Sequence, residues 1–147
     1  MAPKLINLSA RLESRAVRNL VDQLEYPIDR RDERTDQILS DYQHDPSTQL
    51  FGLKKAGTLL GLIGLLPLAP HAAVIRHIVV HQKHRGCGIG RMMIASVCEE
   101  FALEHLEAET DDDAVGFYRR CGFTVQSLGE IHPGIERYWC RRVTATT

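Results

Sequence analysis

What the chain lacks narrows it first. No block of lysines and arginines stands out against a formal net charge of −1, so a nucleic-acid backbone finds no electrostatic footprint. No apolar run is long enough to span a bilayer: the longest, Leu59–Ala69, is broken by Gly61, Gly64 and Pro67. Met1-Ala2-Pro3-Lys4 leads straight into a short apolar strand, without the apolar region of a secretory leader. The four cysteines, Cys87, Cys98, Cys121 and Cys140, form no Cys-x-x-Cys pair. They read as reduced thiols, and a cytoplasmic protein is expected. No repeat, low-complexity tract or linker divides the 147 residues, so one domain over residues 1–147 is expected. Its 44% hydrophobic and 25% charged residues are ordinary for a globular core of that size.

The periodicities place the elements. Lys4–Leu8 reads as a strand, and Ser9 as the cap of a helix to Leu24 with Leu12, Val17, Leu20, Val21 and Leu24 on its apolar face. Tyr26-Pro27 ends that helix. A second helix is predicted over Asp36–Gln43, after the densely charged Arg30–Asp36. Gln49–Lys54 and Thr58–Leu68 form a hairpin about Ala56-Gly57. Ala73–Val80 reads as a nearly continuously buried strand, followed by a helix from Ile89 to His105. Leu106–Thr110 is a strand and Asp111–Arg120 a helix stopped by Gly122. Phe123–Leu128 and Arg137–Val143 close the chain around Pro133-Gly134. The order β-α-α-β-β-β-α-β-α-β-β predicts a mixed α/β domain and not a doubly wound parallel sheet.

The most informative segment is Arg85-Gly86-Cys87-Gly88-Ile89-Gly90, set between the β-branched run Val74–Val80 and an amphipathic stretch. Strand, glycine turn and helix in that order present backbone N–H groups where a phosphate can bind. Gly86, Gly88 and Gly90 clear side chains from the approach of a diphosphate. Arg91-Met92 follow in place of the Lys-Ser/Thr of a P-loop, and G-x-G-x-G is not the G-x-G-x-x-G of a dinucleotide fingerprint.

Arg85-x-x-Gly88-x-Gly90 resembles the Q/R-x-x-G-x-G/A pyrophosphate loop of the GNAT N-acetyltransferases. One helix and one strand later, Asp111-x-x-Ala114-x-x-Phe117-Tyr118-x-x-x-Gly122-Phe123 resembles that family's second block, N-x-x-A-x-x-F-Y-x-x-x-G-F. Taken alone, this second stretch is also an ordinary amphipathic helix with Ala114, Phe117 and Tyr118 on one face. The resemblance covers about Val74–Phe123. It implies an α/β (α+β) fold with a mixed sheet, mostly antiparallel with a central parallel strand pair and helices on both faces. It further implies acetyl-CoA as cosubstrate and transfer to an amine by direct attack in a ternary complex. The backbone of Ile78, Val79 and Val80 would pair with the pantetheine arm, and an N–H, at Ile78, would stabilise the oxyanion. Arg85, Gly86, Cys87, Gly88, Ile89, Gly90 and Arg91 would bind the diphosphate, with Asp111, Phe117 and Tyr118 as further cofactor contacts. Asp111 stands where the family often has Asn, and a carboxylate cannot donate. Tyr118 matches the general acid that protonates the CoA thiolate; a free phenol titrates near ~10 and holds its proton at neutral pH.

The acceptor side carries less signal. An amine must lose a proton, so a base is expected. Arg76 occupies the strand position where related enzymes carry Glu, and no acid lies between Ala69 and Val80. His77, Glu130, His132 and Glu136 are the candidates, each equally readable as a structural or solvated group. Glu25, Asp29, Asp32, Glu33 and Asp36 fit either a cationic acceptor, such as a polyamine, aminoglycoside-like amine or protein amine, or a solvated charged turn. His77-x-x-x-His81-x-x-His84 lacks a completing ligand, so no metal is expected. Asp111-Asp112-Asp113 is explained as a helix start. Cys87 has no assigned catalytic role. A homodimer is compatible with the resemblance, with no membrane or nucleic-acid partner expected. The competing reading is a non-catalytic acyl-CoA-binding regulatory module.

Overall fold

A computed structural model describes residues 2–24 and 31–144, except for the side chains at 31 and 131. Two compact units make up the chain: Met1–Leu66 with Arg76–Ser96, and Pro67–Ile75 with Val97–Thr147. The predicted element order is the observed one. It comprises β1 (Lys4–Asn7), α1 (Arg15–Val21), α2 (Arg31–His44), β2 (Gln49–Lys55), β3 (Thr58–Ala69) and β4 (Ala72–Val80). There follow α3 (Ile89–Glu100), β5 (His105–Asp111), α4 (Val115–Arg120), β6 (Thr124–His132) and β7 (Ile135–Val143). The described strands are ordered β1-β2-β3-β4-β5-β7-β6. The β4–β5 pair is parallel, and β1–β2, β2–β3, β5–β7 and β6–β7 are antiparallel.

In the first unit, α1 starts later than the sequence predicts. Asn7 Oδ1 accepts from Ser9 N at 2.8 Å, which holds Ser9 in a turn. The cap is Ser14, extended at ψ 146, whose Oγ accepts from Val17 N at 3.2 Å. The predicted stop at Tyr26-Pro27 lies outside the described residues. Helix α2 begins earlier, at Arg31, with Asp32 and Glu33 in the first turn where the helix dipole favours them. Thr35, Ile38 and Tyr42 form its buried face. The fully buried Thr35 is satisfied by donating to Asp22 Oδ1 at 2.6 Å. Ile38 and Tyr42 join Leu8, Val17, Leu20, Leu50, Leu62 and Val79 in the unit's core. The hairpin turn has φ 50 at Ala56 and 83 at Gly57, the two positive values a type I′ connection requires.

Two further expectations are corrected. The exposure of β4 alternates, with Ala73, Ile75 and Val79 buried and Arg76 exposed, so the strand has one wet face. Helix α3 stops at Glu100 instead of continuing to His105. Leu103 N donates to Cys98 O at 2.9 Å and Ala102 N to Glu99 O at 3.3 Å, with Ala102 at φ 49. This is a Schellman stop built on alanine where glycine is usual, and the composition gave no warning of it.

Candidate active site

The glycine turn grows out of β4. The β4–β5 ladder pairs Ala72–Ile75 with His105–Ala108 and goes no further, while β4 itself continues through Ile78, Val79 and Val80. After it a 3-10 turn, Gln82–His84, is opened by His81, whose Nδ1 accepts from Lys83 N at 3.1 Å. Gln82 N is tied to Gln23 Oε1 at 2.8 Å, and Arg85 Nε donates back to Val80 O at 3.2 Å. These bonds fix the lead-in to the loop.

Gly86 and Gly88 then take φ 80 and φ 78, and no atom lies within 4 Å of a Cβ built at either. The loop's surface is therefore open, as a diphosphate needs. Met92 N donates to Gly88 O at 3.0 Å as the ladder of α3 begins. The N–H groups at Ile89 and Gly90, in its first turn, have no carbonyl to meet within an α-helix. Helix-end N–H groups with the dipole behind them are the arrangement that favours an anion. Cys87 is exposed within the loop.

His77 sits one residue before Ile78. Its Nδ1 and Tyr42 Oη are hydrogen-bonded at 2.7 Å, and the two rings meet edge to face with centroids 5.5 Å apart. Burial, reinforced by the Arg76 charge, pulls its pKa down from 6.5 to about 4, so the imidazole is neutral at pH 7. Tyr42 is a functional candidate that the sequence did not reveal. Its partner is 35 residues away, and in α2 it reads as a core aromatic.

In the second unit, the Phe117-Tyr118-x-x-x-Gly122-Phe123 spacing acquires a physical meaning. Gly122, at φ 87, sends Phe123 N back to Tyr118 O at 3.0 Å, while Gly122 N reaches Arg119 O at 3.1 Å. The block is thus a glycine-terminated Schellman stop. The usual contact across such a stop is here the Tyr118–Phe123 ring pair, 5.2 Å and 74° apart, with Phe117 packed against Tyr118's other side at 5.2 Å and 71°. Tyr118 is 5% exposed. Burial, then the Cys140 and Cys121 thiols, push its phenol well above the ordinary value, so it stays protonated.

Asp111 has a local duty. Its Oδ1 accepts from Asp113 N at 3.0 Å and Ala114 N at 3.2 Å, which holds the turn that leads into α4. Glu136 accepts from Ser127 Oγ at 2.6 Å and from Tyr138 Oη at 2.7 Å, and these hydrogen bonds, Ser127's first, hold its carboxyl below the usual range. Tyr138 Oη also lies 2.6 Å from Asp112 Oδ1, and the two carboxylates raise the phenol's pKa. Glu130 Oε2 is 3.5 Å from Gly134 N, and His132 is exposed.

Of the acidic residues near the first helices, Asp36 is ion-paired with Arg18 at 2.7 Å, while Glu25 and Asp29 lie outside the described residues. A cleft of about 240 Å³ beside that pair is lined by Leu12, Leu39 and Ser40, not by the predicted cofactor residues. Among the described residues no group of three or more His, Cys, Asp or Glu side chains is arranged to hold a metal ion, and no helix is long and apolar enough to cross a membrane.

A mixed sheet with one short parallel pair and a glycine turn opening a helix defines the class: an α/β domain of the acyltransferase fold. The chain belongs to the acetyltransferase (GNAT) family, whose model matches residues 15–123. Acetyl-CoA is the cosubstrate of that family. An uncharacterized N-acetyltransferase of Bacillus methanolicus is 28% identical over 85 residues, covering 58% of this chain and 69% of that one. A solved chain from Desulfovibrio desulfuricans, assigned to the same family, matches with a TM-score of 0.78 at 18% identity, covering 98% of this chain and 100% of that one. An aminoglycoside 6′-N-acetyltransferase in complex with coenzyme A gives 0.71 at 13% identity, covering 98% of each chain. At these identities the structural likeness is one of fold.

Proposed function

We propose that this acetyltransferase moves the acetyl group of acetyl-CoA directly to an amine, with Tyr118 as the proton donor to the departing thiolate. The observation that carries the reading is the open glycine cradle at the start of α3, whose two positive-φ glycines leave space where side chains would otherwise stand. When bound, acetyl-CoA supplies an activated thioester. The chain's residues supply the rest. Backbone N–H groups from Arg85 to Arg91 hold the diphosphate. The free stretch of β4, with Ile78, Val79 and Val80, aligns the arm and offers an N–H to the carbonyl oxygen.

Tyr118 is locked in orientation by Phe117 and Phe123. Its burial keeps the proton on the phenol but also disfavours the phenolate left behind. Its hydrogen bond to sulfur therefore strengthens as charge grows there, and the proton passes over as the thiolate departs. Asp111, engaged in the turn that leads into α4, is the weakest of the proposed cofactor contacts. The acceptor is read as a cationic amine in solution that reacts as its free base.

The test combines thermal melts with acetyl-CoA and desulfo-CoA and thiol release against a panel of polyamines, aminoglycosides and peptide amines. A midpoint shift with both analogues and turnover on one amine class are expected. A shift without turnover on any amine favours the binding-module reading.

A further inference from the structure

Transfer to an amine leaves one proton to remove from the attacking nitrogen. Among the candidate bases, Glu136 is occupied by hydrogen bonds from Ser127 and Tyr138. His77 differs in being half-buried, on β4 beside Ile78, and held by a second side chain.

We propose that Tyr42 is the positioning residue for this proton transfer: its hydroxyl, seated over Gly64, accepts Nδ1–H of His77 and leaves the Nε2 lone pair to take the proton of the attacking amine. The proposal rests on the amine acetylation proposed above. Three observations carry it. Tyr42 Oη and His77 Nδ1 are 2.7 Å apart, and which ring nitrogen is free is set by the bond the other makes. Tyr42 is buried in the core with Ile38 and Val79, so its hydroxyl is not free to swing away. Position 64 has no side chain, and a Cβ there would collide with Tyr42 Oη and lie 2.5 Å from its Cζ. Gly64 therefore makes the seat for the hydroxyl.

The step balances. The amine's lone pair forms the N–C bond as the carbonyl π pair moves to oxygen, the N–H bond breaks with its electrons kept on nitrogen, and the proton goes to Nε2 while Nδ1–H stays on Tyr42. The oxyanion then re-forms the carbonyl, breaking the C–S bond and releasing the CoA thiolate. Around the ring, Arg76 on β4 and Arg34 on α2 disfavour the imidazolium, and Asp41 on α2 opposes them. His77 thus enters the reaction unprotonated, and its weak basicity suits a nitrogen already bonding to the carbonyl carbon, which is more acidic than a free ammonium.

The first measurement is the imidazole ¹⁵N spectrum of the labelled protein at pH 7, with His77 assigned by its loss in His77→Gln. A protonated Nδ1 and an unprotonated Nε2 are expected; an Nε2–H tautomer, with the phenol donating to Nδ1, overturns the proposal. Kinetically, Tyr42→Phe and Gly64→Ala should each lower kcat roughly ten- to a hundredfold through misplacement of the ring, with KM for acetyl-CoA held. In a His77→Gln background neither should lower it further. An unchanged kcat in Tyr42→Phe, or losses that add fully to that of His77→Gln as a merely structural role would give, overturns it. Far-UV circular dichroism and the acetyl-CoA midpoint shift confirm folding of each variant. A wild-type protein that releases thiol with no amine fails the acetylation reading instead, and the tautomer still decides the Tyr42–His77 geometry.

Discussion

Acidifying the protein from pH 7 to pH 5 should destabilise it through His77 by roughly 2 kcal/mol. The imidazole titrates at 6.5 when free and at about 4 in the fold, because burial and the Arg76 and Arg34 guanidiniums outweigh the help of Asp41. The unfolded chain therefore binds more protons between those two values. Stability rises with pH across that window and is lost as pH falls through it. At about 1.4 kcal/mol for each tenfold change in proton affinity, the full effect is about 3 kcal/mol. A little over half of it falls between pH 7 and pH 5. Urea melts at pH 7, 6 and 5, followed by far-UV circular dichroism, measure it against His77→Gln, whose pH-independent losses cancel in the comparison. The wild type should lose the extra ~2 kcal/mol relative to the variant. Parallel losses would refute a desolvated His77 and weaken the account of its role.

Tyr118→Phe keeps the ring packing with Phe117 and Phe123, so it should lower kcat by about 10²–10⁴ while leaving the acetyl-CoA midpoint shift unchanged. Gly88→Glu places a negative side chain at φ 78 over the glycine cradle; it should abolish that shift and add about 1–2 kcal/mol of backbone strain, measured by thermal and urea melts. Ala102→Gly removes a strained residue from the stop of α3 and should stabilise by about 1 kcal/mol in urea melts. Gly61→Val should destabilise by roughly 1–3 kcal/mol through overpacking, because even a Cβ there would lie 2.8 Å from Val79 O and 2.9 Å from Met93 Cε.

The element order was legible because strands and helices here keep distinct periods and the turns carry ordinary signals, Ala56-Gly57, Gly122 and Pro133-Gly134 among them. The glycine loop and the Tyr118 block were legible because each is a local backbone device. In the first, positive-φ glycines open a helix start; in the second, a Schellman stop clamps an aromatic. The boundaries that slipped had chemistry the pattern did not show. Asn7 captures Ser9, Ser14 becomes the cap, and Ala102 stops α3 at a position where glycine is the usual marker. The proposed acceptor side was least legible because Tyr42 and His77 are joined across 35 residues. Nor does the chain show from spacing alone that Gly64 makes room for a hydroxyl.

The central claim is that the open glycine cradle holds acetyl-CoA for transfer to an amine. The most direct measurement is the thermal midpoint of the wild-type protein and of Gly88→Glu, each with and without acetyl-CoA, with thiol release on the amine panel in the same samples. At a hundredfold excess over Kd the account predicts about 2.7 kcal/mol of stabilisation for the wild type alone, together with amine-dependent thiol release. No shift in the wild type, or an equal shift in Gly88→Glu, would contradict it.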